Sequence, residues 1–336
     1  MSTEAKLTIL INKLKRLVKL MRLLLRVARE SRCSAKVIGF KSLRGTLGQL
    51  RGVASASNYP VVLSNEPLRN TICFVLGNGP SLSGDIKENL GVFRQVDTFC
   101  VNNFIESALY EKIQPKYYVL ADPDFWSSAV SETYASERKQ FFEQILRKTT
   151  WPLTVFLPFS AKGMLDGVFS ESRNIRVDFY NNVPLSGEQT LVNILYDNNL
   201  GMPSPQNVLI PALFLSLRLG YKKIILLGAD HSWHQTLALD KENRLCVRHS
   251  HFYDQDAELI PFATGQHGTK LFTMDTAFYA FALMFEGYWK IEEYSKHLGA
   301  QIYNASSTTF IDAFKRMALS DIPKNFETVC SKDMST

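Results

Sequence analysis

The chain has 336 residues, 46% of them hydrophobic and 21% charged, which excludes disorder and collagen-like repetition and leaves room for one large or two modest domains. Five scattered cysteines (Cys33, Cys73, Cys100, Cys246, Cys330) without CxxC spacing argue against a disulfide scaffold or structural zinc, and for a reducing compartment. The net charge of +6 is uneven: residues 1–52 hold thirteen Lys and Arg against Glu4 and Glu30, a net +11, while the remaining 25 basic and 30 acidic residues leave the body at −5.

The first element predicted is an amphipathic helix within residues 1–40. Leu7, Leu10, Ile11, Leu14, Leu17, Val18, Met21, Leu24 and Leu25 recur at three- and four-residue steps, and Lys15, Lys19, Arg22, Arg26 and Arg29 form the opposite face. Such a pattern fits a helix lying on an anionic membrane surface, where each basic residue contributes about 1 kcal/mol. The alternative is a stripe packed on the body of the protein. Nucleic acid is disfavoured, since no aromatic residue for base stacking precedes Phe40. No apolar run approaches the roughly 20 residues of a membrane span, and no small-residue cleavage site follows the arm. The protein is therefore expected in the cytoplasm, peripheral on the inner face of the cell membrane. Residues 41–68, with Gly45, Gly48, Gly52 and Pro60, read as a linker into a body spanning 69–320, and 321–336 as a tail.

In the body, strands are expected at Thr71–Leu76, Thr98–Val101, Tyr117–Leu120, Leu153–Phe156, Ile175–Val177, Lys223–Leu227 and Gln301–Tyr303. Helices are expected at Glu132–Arg147, at Val208–Leu219 with Gly220 as C-cap, at Met274–Leu298, and from about Phe310 to Met317. Strands separated by helices imply βαβ units and hence an α/β, doubly wound, mainly parallel, Rossmann-like sheet. Ligands of such sheets bind beyond the carboxyl ends of the strands.

The residues at those ends carry the functional signal. After the first strand comes Gly77-Asn78-Gly79-Pro80-Ser81, where two glycines permit a tight turn and backbone N–H groups can approach a ligand; Ser81 or Ser83 can cap the next helix, whose start favours an anion. It is neither a dinucleotide fingerprint nor a P-loop. The second strand ends at Asn102-Asn103, whose amides can read a sugar hydroxyl or a base edge. The third ends at Asp122-Pro123-Asp124, either a DxD cation site or the capped start of a helix, with the capped start preferred. The strand Lys223–Leu227 runs into Gly228-Ala229-Asp230-His231-Ser232-Trp233-His234, and four of the six histidines fall within residues 231–251. That clustering at a strand end points to chemistry rather than packing.

In this order the stretches LGNGPSL (76–82), FCVNNF (99–104), YYVLADPDFW (117–126), LGYKKIILLGADHSW (219–233) and IYNASSTTFIDAF (302–314) resemble the bacterial sialyltransferases of glycosyltransferase family 42 and related sialyltransferase-like, DUF115-like proteins of surface-polysaccharide synthesis. GADHSW with HFYD is similar to a lipopolysaccharide or O-antigen subgroup. The resemblance implies a sialyltransferase-like variant of the GT-A nucleotide-binding fold, with a lid at about 234–270. It implies donor contacts from Gly77, Asn78, Gly79, Pro80, Ser81, Asn102 or Asn103, and Asp122, which stands where the family has Asn. Gln206 and Asn207 replace the family's Ser-Gly, and Trp233 and Tyr253 stand near its phosphate-holding tyrosines. The general base is expected at His251, with His267 as the alternative; His231 is expected to stabilise the leaving phosphate, and Asp230 to serve if no His does.

The activity so implied is inverting transfer of a sugar, favoured as a CMP-linked acidic sugar, to a lipopolysaccharide or other glycan or glycolipid acceptor, with no required cofactor and no metal site. Two alternatives stand. A pterin pyrophosphokinase-like enzyme would hold Mg²⁺ through Asp122, Asp124 and Asp230; a sugar-nucleotide-binding subunit would have no catalysis. Homo-oligomerisation is left open.

Overall fold

The computed structural model describes residue 68 and residues 71–86, 90–128, 130–165, 167–187, 189–249, 258–263 and 271–321. The basic arm, the linker up to residue 67, the tail beyond 321, and His251, Tyr253 and His267 lie outside the described residues.

The chain divides into two compact units. The larger comprises Leu63–Tyr180 and Ser204–Thr336; the described residues of the smaller run from Asn181 to Pro203. In the smaller unit, helix α5 (Gln189–Asp197) is followed by a return that bridges Pro184 and Met202, with Met202 N–H donating to the Val183 carbonyl at 2.9 Å.

In the larger unit, chain order is β1 (Ile72–Leu76), α1 (Leu82–Ile86), α2 (Leu90–Gln95), β2 (Asp97–Val101), α3 (Leu109–Ile113), β3 (Tyr117–Val119), α4 (Glu132–Lys148), β4 (Leu153–Pro158) and β5 (Ile175–Tyr180). After the smaller unit come α6 (Leu209–Arg218), β6 (Lys223–Leu227), β7 (Leu237–Leu239), β8 (Leu245–His249), β9 (Glu258–Pro261), α7 (Met274–His297), β10 (Gln301–Asn304) and β11 (Lys315–Arg316). One sheet has the order β11-β10-β6-β1-β2-β3-β4-β5, and every pair in it is parallel. The expected doubly wound α/β sheet is present. β1 and β2 are buried along their whole length, which is why they read as unbroken apolar runs rather than alternating ones.

Side chains alternate across β1. Ile72, Phe74 and Leu76 face a cluster that includes Leu82, Ile86, Phe93, Ile113 and Phe141 of α1–α4, while Cys73 faces Ser216 of α6. α6 is buried from Leu209 to Leu217, as a helix apolar on all sides must be, and α7 covers it through stacked Phe214 and Tyr294 rings 5.4 Å apart. At the amino-terminal end of the sheet, Asp97 (3% exposed) accepts from Lys116 at 2.9 Å and from Tyr221 at 2.6 Å. Burial opposes the Lys116 charge, but the hydrogen bond and charge of Asp97 prevail and raise its pKa.

One departure from the sequence reading is clear. The segment 310–317 is not a helix: Phe310 N–H donates to the Asp230 carbonyl at 3.0 Å, Thr309 Oγ1 donates to the Ala229 carbonyl at 2.7 Å, and Lys315–Arg316 pairs with β10 as β11. A chain that runs extended beside β10 at Lys315–Arg316 cannot be helical there. The described part of the expected lid is a separate antiparallel sheet, β7-β8-β9. No helix among the described residues is long and apolar enough to cross a membrane.

Candidate functional site

From β1 the chain lays down strands outward in one direction to β5, then returns to add β6 on the other side of β1. The reversal opens a crevice between the carboxyl ends of β1 and β6. A cavity of about 550 Å³ lies there, lined from the turns after β1, β2, β3 and β6 and from the start of α6.

The two strand ends are clasped. Gly77 N–H donates to the Leu227 carbonyl and Gly79 N–H to the Gly228 carbonyl, both at 2.8 Å. A Cβ on Gly77 would stand 2.3 Å from the Gly228 oxygen, and one on Gly79 only 2.5 Å from Asp230 Oδ1. The glycines are thus required by the approach of β6, and their N–H groups are spent on it rather than on a ligand. Asp230 (6% exposed) completes the clasp: its carboxylate accepts from Ser81 N–H at 3.0 Å and from Ser81 Oγ at 2.5 Å. The anion at the start of α1 is a side chain of the protein itself. Ser81 faces that carboxylate and is not among the residues lining the cavity.

Asn78 lines the cavity and donates from Nδ2 to the Val101 carbonyl at 3.1 Å, tying the loop to the end of β2. Asn102, at φ +41, also lines it, and its buried Oδ1 has no hydrogen-bond partner among the described residues. An acceptor left so costs about 1–3 kcal/mol, which a ligand N–H or O–H would recover. Asn103 shares the turn but does not line the cavity. Asp122 does, while accepting Asp124 N–H at 3.0 Å as the cap of a short turn with Pro123 next, the capped start preferred for it. Pro80, Gln206, Asn207, Asp230, His231 and Trp233 are also gathered there.

His231 is 7% exposed at φ +54, its ring 4.8 Å from Trp233. Burial lowers its pKa to about 4, so the ring is neutral and offers no cation to a phosphate. Nε2 lies 2.5 Å from Tyr288 Oη, and the same phenol contacts Asn207. Burial pushes the Tyr288 phenol up, against a smaller opposing effect of Asn207. Tyr288 was not legible as a site residue, because it sits in a helix that reads as apolar cover. Among the described residues no group of three or more His, Cys, Asp or Glu could hold a metal ion, and no Lys or Arg lines the cavity.

No protein-family profile matches the chain, and no curated protein matches it in sequence. Among solved structures it is similar to the MAf glycosyltransferase from Magnetospirillum magneticum AMB-1, at 14% identity and a TM-score of 0.46, over 79% of this chain and 36% of that one. The chain thus spans little more than a third of the length of that protein.

Proposed function

We propose that the protein is an inverting glycosyltransferase that takes a sugar from a nucleotide donor. The observation that carries this reading is convergence: four stretches of the sequence resemblance (76–82, 99–104, 117–126 and 219–233) all contribute residues to one cavity at the strand-order reversal. Amides dominate its polar lining, with Asn78, Asn102, Gln206 and Asn207 suited to base and sugar hydroxyls. A CMP-linked acidic sugar is the donor that the sequence resemblance implies. The acceptor is a surface glycan or glycolipid, and the basic arm holds the enzyme at the anionic membrane where such acceptors lie.

In the reaction an acceptor hydroxyl oxygen attacks the anomeric carbon, the bond from that carbon to the phosphate oxygen breaks, and the hydroxyl proton passes to a base. His231 does not suit the base, since Tyr288 and Asn207 already occupy its Nε2. We assign the base to His251, in the segment between β8 and β9. The test is a thermal-shift screen of CMP, UDP, GDP and ADP with and without Mg²⁺. A ligand at one hundred times its Kd adds about 2.7 kcal/mol of stability. CMP is expected to stabilise without Mg²⁺, and Asn102→Ala to lose most of that shift. A response to ADP with Mg²⁺ alone would replace sugar transfer by phosphoryl transfer chemistry, and no response to any nucleotide would sink the reading.

A further inference from the structure

Asn207, Tyr288 and His231 form a chain of hydrogen bonds whose direction is set at one end. At the start of α6, the N–H groups of Leu209 and Ile210 point at Asn207 Oδ1, at 2.9 and 3.3 Å. A backbone N–H can only donate, so this atom must be the amide oxygen and the NH₂ must face the other way. Nδ2 then donates to Tyr288 Oη at 3.0 Å and lies 3.4 Å from His231 Nε2. The phenol has one proton to give. Asn207 Oδ1, 3.2 Å away, is already taken by two amides, whereas His231 Nε2 is 2.5 Å away and faces no other acceptor. With the phenol proton directed at Nε2, two donors converge there and Nε2 carries the lone pair. A neutral imidazole with its lone pair there carries its proton on Nδ1.

Several other donors of the site are committed. The N–H at the start of α1 serves Asp230, those at the start of α6 serve Asn207, and those of Gly77 and Gly79 serve β6. Nδ1 of His231 makes no hydrogen bond among the described residues, and the residue lines the cavity. We propose that Asn207 and Tyr288 are positioning residues that lock His231 as its Nδ1–H tautomer, giving the cavity a neutral, fixed donor for a phosphate oxygen of the bound nucleotide. The phosphate half of this inference rests on the nucleotide-donor reading; the tautomer does not. Free imidazole side chains in water favour the Nε2–H form, so the lock is a measurable departure.

Long-range ¹H–¹⁵N spectra of the full chain labelled at histidine distinguish the two tautomers, and the His231 signals are identified by their loss in His231→Asn. The ligand-free wild type is expected in the Nδ1–H form, and Tyr288→Phe, which keeps the ring, is expected to move His231 towards Nε2–H and weaken CMP binding about fivefold. Adding CMP, but not cytidine, should shift the Nδ1 resonance. An Nε2–H wild type overturns the proposal even if Tyr288→Phe does not fold, and an unchanged tautomer in a folded Tyr288→Phe overturns it as well. If CMP stabilises the protein but leaves Nδ1 unmoved, the phosphate contact is refuted and the functional reading survives. If no nucleotide binds while the tautomer is as stated, the functional reading fails, the phosphate half falls with it, and the lock stands.

Discussion

His231 should make the protein acid-sensitive by a calculable amount. In the unfolded chain its imidazole takes a proton below about pH 6.5, whereas in the folded protein burial defers this to about pH 4. Between those values the unfolded state binds more protons, so stability rises with pH; the His231 contribution is intact above pH 6.5 and is lost as pH falls towards 4. Linkage with these two values gives a loss of about 2.5 kcal/mol between pH 7.5 and pH 4.5. His231→Asn removes the titration while suiting the left-handed backbone at φ +54. Urea unfolding of both proteins across this range isolates the effect, because every other titrating group is common to the two. Wild type should lose about 2.5 kcal/mol more than the variant over the interval, whatever the offset between them at neutral pH. Parallel curves would mean that the ring is protonated or solvated in the folded state, and the neutral-donor argument would fail with it.

Gly79→Ala should cost about 3 kcal/mol, since the methyl meets both Asp230 Oδ1 and the Gly228 oxygen and breaks the Ser81 bonds. Gly84→Ala, with nothing within 4 Å, should be neutral or slightly stabilising; equal urea midpoints for the two variants would show that the clasp carries no stability. His251→Ala should transfer sugar at least about 10²-fold more slowly with CMP binding retained, and His267→Ala should be near wild type; the reverse pattern moves the base, and activity in both removes it. Deleting residues 1–35 should release the protein from anionic liposomes without altering its CMP response, and continued sedimentation with the vesicles would return the arm to the body.

The parallel strands were legible because burial on both faces writes them as short apolar runs, and β1, β2, β3 and β6 fell where those runs lie. The position of the cavity followed from the same pattern. Less visible was what each polar residue would be used for. Asp230 stands beside His231 in sequence and reads as chemistry, yet its carboxylate binds Ser81 across 149 residues. Tyr288 lies 57 residues from the histidine it contacts, on a helix with many other aromatic rings. Ile311, Ala313 and Phe314 are apolar enough for a helix, but the partners of that backbone belong to the β6 turn, and local pattern does not report distant acceptors.

The clasp between β1 and β6 also bears on how such a site can change over generations. Gly77, Gly79, Ser81, Gly228 and Asp230 each fit against another member of the set, so a single replacement meets a neighbour cut to its present shape. An insertion in either turn would have to be answered in the other at once. Asn102, Asp122 and Gln206 stand outside that mutual fit although they line the same cavity. New ligand preferences should therefore arise first at these three positions, one substitution at a time, while the two clasped turns are inherited together or lost together.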